Sequence, residues 1–436
     1  MGTITCKFGG TSLADAECIK KVASIITSSP DRKYIVPSAP GKRHPKDKKI
    51  TDLLILWHNI AKEGLDTSEP EKIIRERFKS IVNELNIDLD IDFEINEIAK
   101  KAGEYDTPDF MASRGEYLNG KILAKYLGAT FIDPAKYILF DETGNLDPRT
   151  YNVLGERLQG SGLFVIPGFY GSMPDGSIKT FPRGGSDITG AIVARATKSI
   201  LYENWTDVDG FCMADPKIVP NPKRIEEITY QELRELSYMG ATVLHDESIY
   251  PVMEPGIPIH IRNTHNPSAP GTLIVKSRVP KGPVCGIAGL GGFSMINIEK
   301  IFMNKERGFG LKVLSVLDEY DVRWEHMPTG IDTLSIIIRD SELGNKGPLI
   351  VEALKKRCDT QDVYLVKGLA MIATVGLGMN HHIGVAARLF TALANAGVNV
   401  RVIDQGSSEM NILVGVDESD LQKSIRAIYE AFVNWE

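Results

Sequence analysis

The sequence predicts an α/β protein: a mostly parallel sheet covered by helices on both faces up to about residue 275, then two small α/β modules in tandem. Three observations predict it. Strand and helix patterns alternate from residue 3 onward, and a basic stretch with Pro and Gly (Lys276 to Pro283) then reads as a linker. The chain beyond it repeats at an offset of 76 residues, which sets Gly308 over Gly384, Leu317 over Leu393 and Val322 over Val398.

Taken in order, residues 3–8 (TITCKF) form a short strand and Gly9-Gly10-Thr11-Ser12 its loop. A helix follows from near Asp15, because Ile19, Val22, Ala23 and Ile26 recur at helical spacing. The charged stretch Ala61 to Lys101 is expected to be helical. Leu163 to Ile166 is a buried-strand run, and Pro174-Asp175-Gly176 marks a hairpin turn. Thr229 and Glu232 have capping-box spacing, and Gly240 should end the helix they start. Each repeat copy reads strand, turn, helix, strand, turn, strand.

Composition removes several function classes. With 43% hydrophobic and 25% charged residues among 436, the chain is neither collagen-like, coiled-coil nor disordered. A net charge of -7 gives no footprint for a phosphate backbone, so nucleic acid is not an expected partner. Five cysteines without a CxxC pair suit a reducing cytoplasm better than a disulfide framework or zinc site. No apolar run reaches the roughly 18 residues of a membrane helix, and neither a membrane partner nor a signal peptide is expected. The eight histidines form no HExxH, and no resident metal site is expected.

Four blocks could carry chemistry. Lys7 ends the first strand just before Gly9 and Gly10, where its ammonium can meet a ligand close to the backbone; a tight turn beside a surface lysine explains the same residues. Phe181-Pro182-Arg183-Gly184-Gly185-Ser186-Asp187 opens a helix, and helix-start amides with a guanidinium make an anion site. An ordinary N-cap after a glycine turn accounts for all of it except Arg183. Thr206-Asp207-Val208-Asp209-Gly210 follows a strand, at the edge where open α/β sheets bind ligands, although an Asx-rich turn reads the same way. Ser113-Arg114-Gly115-Glu116 sets a carboxylate near a helix start, where a favourable dipole is the plainer reason for it. Gly286, Gly289, Gly291 and Gly292 imitate a dinucleotide loop, but Ser294 to Ile298 continues as an alternating strand and not as a helix.

In this order, and with Glu235-Leu236-Ser237-Tyr238-Met239-Gly240-Ala241-Thr242-Val243-Leu244-His245, the blocks resemble the aspartate kinases of the amino-acid kinase superfamily over nearly the whole chain. The resemblance implies a carbamate kinase-like, three-layer αβα domain over 1–278. It also implies two ferredoxin-like ACT domains over 284–362 and 363–436, interleaving at their edges. The implied reaction moves the γ-phosphoryl of ATP, with Mg²⁺, to the β-carboxylate of L-aspartate. By similarity, Lys7 neutralises charge on the phosphoryl and Asp187 orients Lys7. Arg183 holds the substrate α-carboxylate, Glu116 meets its α-ammonium, and Thr51, Phe169 and Ser186 complete the pocket. Gly9, Gly10, Thr11, Ser38, Thr206, Asp207, Cys212, Lys217 and Thr242 fall at nucleotide positions, the last three differing from the Tyr, Arg and Lys that relatives often carry.

The ACT pair implies feedback by an amino acid, with L-lysine favoured and threonine left open. Its effector residues would be Met303, Gly308, Phe309, Gly310, Leu311, Trp324, Glu325 and Thr329, with Glu325 as counter-ion to a lysine ammonium. ACT pairing between chains implies a homodimer or larger assembly. A glutamate-type kinase and a non-catalytic amino-acid sensor are the rival readings, and no fused dehydrogenase domain is expected.

Overall fold

A computed structural model of the chain describes residues 2–435 except 183, 242, 243 and 245. The chain forms two compact units, Met1–Phe211 with Glu226–Tyr230 and Val243–Arg278, and Cys212–Ile225 with Gln231–Thr242 and Val279–Glu436. The single stretch expected over 1–278 is therefore interrupted twice, by segments whose side chains pack into the second unit.

The first unit is built on ten strands: β1 (Ile4–Phe8), β2 (Arg32–Pro37), β3 (Thr130–Phe131), β4 (Phe164–Val165), β5 (Tyr170–Ser172), β6 (Ile178–Thr180), β7 (Leu201–Thr206), β8 (Glu227–Thr229), β9 (Ile259–Asn263) and β10 (Thr272–Val275). Eight of them form one sheet in the order β3-β4-β2-β1-β7-β9-β10-β8, parallel except where β10 meets β9. β5 and β6 form the hairpin anticipated at Asp175-Gly176.

The helices of this unit are α1 (Ala16–Thr27), α2 (Ile50–Lys62), α3 (Ser68–Leu85), α4 (Ile91–Ala99), α5 (Asp109–Leu127), α6 (Arg149–Arg157) and α7 (Gly185–Ala196). Asp15 caps α1, its carboxylate accepting the Cys18 N–H at 2.9 Å. Alternate residues of a strand feed opposite faces, so Ile35 joins a core with Trp57, Phe78 and Leu118 from α2, α3 and α5. Tyr34 and Val36 join the other core, with Leu154 from α6 and Ile192 from α7. Burial on both faces is why these strands read as continuous apolar runs.

In chain order there follow α8 (Tyr230–Tyr238), which after Tyr230 belongs to the second unit, α9 (Tyr250–Met253) of the first unit, and in the second unit α10 (Phe309–Glu319), α11 (Asp340–Leu343), α12 (Gly347–Cys358), α13 (Val385–Asn395) and α14 (Leu421–Phe432). Strands β11 (Gly286–Glu299), β12 (Thr333–Arg339), β13 (Asp362–Val375), β14 (Val400–Asp404) and β15 (Asn411–Asp417) make one antiparallel sheet in the order β12-β11-β13-β15-β14. The repeat copies are not separate beads. The end of β11 pairs with β12 and with the start of β13, while the start of β11 pairs with the end of β13, which also holds β15. The strand expected near Val322 in the first copy survives only as the bridges His326 to Ile337 and Thr329 to Leu334. Met213, Ala214 and Val219 share the core of α13 and α14, which explains why the Cys212–Ile225 segment belongs here.

Candidate active site

Lys7 and Asn204 stand side by side on the parallel neighbours β1 and β7. Their common partner is Asp187, on the first turn of α7. Lys7 Nζ lies 2.6 Å from Asp187 Oδ1, and Asn204 Nδ2 donates to the same oxygen at 2.8 Å. All three are largely buried. α7 can begin this close to the sheet because Gly184 takes a left-handed backbone (φ +78°) and because a Cβ at Gly185 would come within 2.7 Å of the Phe169 ring.

The glycine loop lies directly beyond Lys7. Gly9 N–H donates to Trp205 O at 3.0 Å, Gly41 N–H donates to Gly10 O at 2.8 Å, and the Ser12 and Thr264 hydroxyls meet at 2.7 Å. A Cβ at Gly10 would sit 2.9 Å from Ala39 O, so the loop is fitted to the segment after β2. That segment also receives α5. A Cβ at Gly115 would sit 2.8 Å from Ala39 Cβ and 3.3 Å from the Ile50 side chain, next to Thr51 at the start of α2. Ser38 N–H donates to Phe8 O at 3.1 Å, and Asn119 Nδ2 donates to Ser38 O at 2.7 Å.

Glu116 follows Gly115 and is 5% exposed. Its Oε2 has no hydrogen-bond partner among the described residues. Burial pushes its carboxyl up to about 8, against smaller opposing pulls from backbone at Ala39 and from the Arg114 charge. A buried carboxylate oxygen left without a partner is costly to folding, and a bound cation removes that cost. Phe169 holds a left-handed backbone at φ +83°, a strain of about 1–3 kcal/mol for a non-glycine residue. Its N–H donates to Thr189 Oγ1 at 3.0 Å, while a Cβ at Gly168 would sit 2.7 Å from Ser186 Cβ. Phe169 and Ser186 are thus packed together at the start of α7.

The structure therefore gathers Lys7, Gly9, Gly10, Ser38, Glu116, Phe169, Ser186 and Asp187 around the carboxyl ends of β1, β2 and β7. Thr11 is exposed on the same loop, and Thr206 with the exposed Asp207 ends β7. Cys212 and Lys217 lie on the Cys212–Ile225 segment of the second unit, where Lys217 N–H donates to Asp215 at 2.9 Å. Arg183 and Thr242 lie outside the described residues. Asn204 escaped the reading of the sequence, although a polar residue in the middle of a buried strand was its available signal.

The effector turn differs in part from expectation. Gly308 is left-handed (φ +79°) ahead of α10 and nothing crowds Gly310, while Leu311, Trp324 and Thr329 are exposed. Met303 and Phe309, by contrast, are core residues of the first copy. Glu325 does not stand free. Arg339 Nε donates to it at 2.8 Å, the Tyr238 hydroxyl also donates to it, and Arg339 Nη2 reaches Tyr238 O at 3.0 Å.

A three-layer αβα unit with a lysine and glycine loop at its strand ends defines the amino-acid kinase class, and residues 2–263 match the Amino acid kinase family while residues 372–432 match an ACT domain. Aspartokinase 3 of Bacillus subtilis is 41% identical over 446 residues, covering 98% of both chains. The crystal structure of Clostridium acetobutylicum aspartate kinase matches with a TM-score of 0.91 at 50% identity, over 99% of this chain and all of that one. Escherichia coli aspartokinase III, solved with aspartate and ADP, matches at 0.77 and 25% identity over 98% of this chain and 99% of that one. The same enzyme solved with lysine and aspartate matches at 0.75. The chain belongs to the aspartokinase family.

Proposed function

We propose that the chain transfers the γ-phosphoryl of ATP to the β-carboxylate of L-aspartate, giving 4-phospho-L-aspartate and ADP. The observation that carries this reading is the pairing, at the carboxyl ends of the strands, of an anchored cation with a buried carboxylate that keeps one oxygen unpartnered among the described residues. A β-carboxylate is already ionised near pH 7, so the nucleophile needs no general base. Phosphoryl transfer needs alignment and charge neutralisation instead.

Lys7, held by Asp187, supplies fixed positive charge beside the loop of Gly9 and Gly10. Glu116 supplies the anion that reads the α-ammonium, and Arg183 is assigned the α-carboxylate. Thr51, Phe169 and Ser186 shape the pocket, while Ser38, Thr206 and Asp207 bound the nucleotide. Mg²⁺ is assigned to the ATP phosphates; Oδ1 of Asp187, beside the glycine loop, already receives Lys7 and Asn204. When bound, the metal ion neutralises phosphate charge; alignment stays with the protein's own groups.

Feedback by L-lysine through the second unit is part of the same proposal, as is a homodimeric or larger assembly. Lysine is a ligand of the E. coli relative, and this chain carries the glycine turn ahead of α10. An effector ammonium at Glu325 would have to share that carboxylate with Arg339.

An ATP-dependent hydroxamate assay with aspartate or glutamate, each with and without lysine, threonine or methionine, tests the proposal. Aspartate-specific trapping that lysine suppresses is expected. Trapping with glutamate alone would replace the substrate, and lysine-insensitive kinetics would remove the effector.

A further inference from the structure

We propose that Asn204 is a positioning residue for phosphoryl transfer: its side-chain amide fixes the Asp187 carboxylate, and through it the direction of the Lys7 ammonium. The inference rests on the reading of Lys7 as the cation that meets the transferring phosphoryl.

Oδ1 of Asp187 receives two donors, Lys7 Nζ at 2.6 Å and Asn204 Nδ2 at 2.8 Å. Tyr202, two residues earlier on the same face of β7, donates its hydroxyl to the Asp187 carbonyl at 3.1 Å. One strand thus holds both the backbone and the side chain of Asp187. The grip matters because the helix fixes the Asp187 backbone, its N–H donating to Gly184 O at 2.8 Å, but not its carboxylate, and because lysine has a flexible four-carbon stem.

Folding alone would not call for an amide here. Asn204 is 3% exposed, its register partner on β9 is Ile261, and a buried amide costs free energy unless it is hydrogen-bonded. The neutrality of the amide also fits the chemistry. Lys7 and Asp187 together carry no net charge, so a neutral donor leaves the Lys7 field intact, whereas a second carboxylate would set a net negative charge before a polyphosphate. Among the described residues, the charged or titratable groups facing this point are Lys7 from β1, Asp187 from α7 and Tyr202 from β7. Glu203 projects to the opposite face, where Arg32 and Arg262 hold it.

The test uses the full chain and compares wild type, Lys7→Ala, Asn204→Leu and Asn204→Asp by kcat and KM from pH 6 to 9, with thermal melts as a check on folding. Asn204→Leu is expected to lose about 10- to 100-fold in kcat with little change in aspartate KM, since small misplacements of a catalytic cation have effects of that order. Asn204→Asp is isosteric, and its introduced carboxyl can replace the amide as donor only while the pair of acids keeps a proton. Its kcat relative to wild type should therefore fall as pH rises. Wild-type kcat in Asn204→Leu, or a flat ratio in Asn204→Asp, would overturn the assignment. If Lys7→Ala kept wild-type kcat, or the wild-type chain did not phosphorylate aspartate, the functional reading itself would fail and the inference with it.

Discussion

Two buried carboxylates in the first unit, Glu203 and Glu116, are held in opposite ways. Glu203, behind the sheet on β7, accepts Arg32 Nε at 2.7 Å and Arg32 Nη2 at 3.1 Å, Trp205 Nε1 at 2.9 Å and Arg262 Nη1 at 3.3 Å. Burial alone would push its carboxyl up, but the Arg32 hydrogen bonds and charge, helped by Trp205 and Arg262, outweigh burial and hold it below the usual range. Glu116, at the strand ends, keeps an oxygen without a partner among the described residues and is pushed up to about 8. Burial is shared, so burial does not mark function. The difference lies in the partners: Glu203 is satisfied within the fold, whereas Glu116 keeps an oxygen that the proposed reading assigns to the substrate's ammonium.

The comparison is broken most severely by deleting the partner of Glu203. Arg32→Ala leaves the buried carboxylate with only Trp205 and the longer Arg262 contact, and a loss of about 3 kcal/mol, the low end for breaking a buried pair, is expected in denaturant melts near neutral pH. Because the folded Glu203 carboxyl is depressed, the stabilisation is present above its unfolded value and lost as pH falls through the folded one. Arg32→Ala should therefore cost less in acid.

Next in size is the cation at the strand ends. Lys7→Ala is expected to lower kcat by about 100-fold, or about 3 kcal/mol, with a smaller change in aspartate KM. An unchanged kcat with a raised KM would show that Lys7 binds without acting in the transfer.

Glu116→Gln sharpens the contrast from the other side. With its folded carboxyl raised to about 8, ionisation of Glu116 opposes folding, and that penalty grows as pH rises from the carboxylate range to about 8. Glu116→Gln should remove the penalty, making the free enzyme no less stable at pH 8 while weakening aspartate binding. Thermal melts and KM at that pH check both signs. The smallest effect is expected in the second unit. Glu325→Ala should weaken lysine inhibition by about 5-fold, the low end of ordinary allosteric coupling, because Glu325 already shares its charge with Arg339.

Much of this was legible in the sequence where the signal is local. The strand carrying Lys7, the helix start near Asp15 and the Asp175-Gly176 hairpin all follow from spacing and turn chemistry within a few residues. Ser294 to Ile298, expected to be strand, is the second half of β11, and the Gly286 to Gly292 run that imitates a loop turns out to be its first half, with left-handed Gly292 at the bulge. What depends on strand partners was not legible. Periodicity announces β11 and β13 as strands but not that each serves both repeat copies. Likewise, Met213 and Val219 read as apolar without saying which core they enter. At the site, the place of Lys7 before two glycines suggested its chemistry and the resemblance to aspartate kinases supplied the roles of Glu116 and Asp187, whereas the grip of Asn204 on Asp187 required the register of β1 against β7. Glu325 misled for a related reason: its partner Arg339 sits on β12, and Tyr238 lies 87 residues away in sequence.

The central claim is that Glu116 is an unfinished carboxylate that the substrate's ammonium completes. Calorimetric titration of aspartate into the full chain at pH 7, in two buffers of different ionisation enthalpy, measures it directly. A group with a value of about 8 is mostly protonated in the free enzyme at that pH, so binding an ammonium against it should release close to one proton per site. Glu116→Gln should release none. Binding by wild type without proton release would contradict the account.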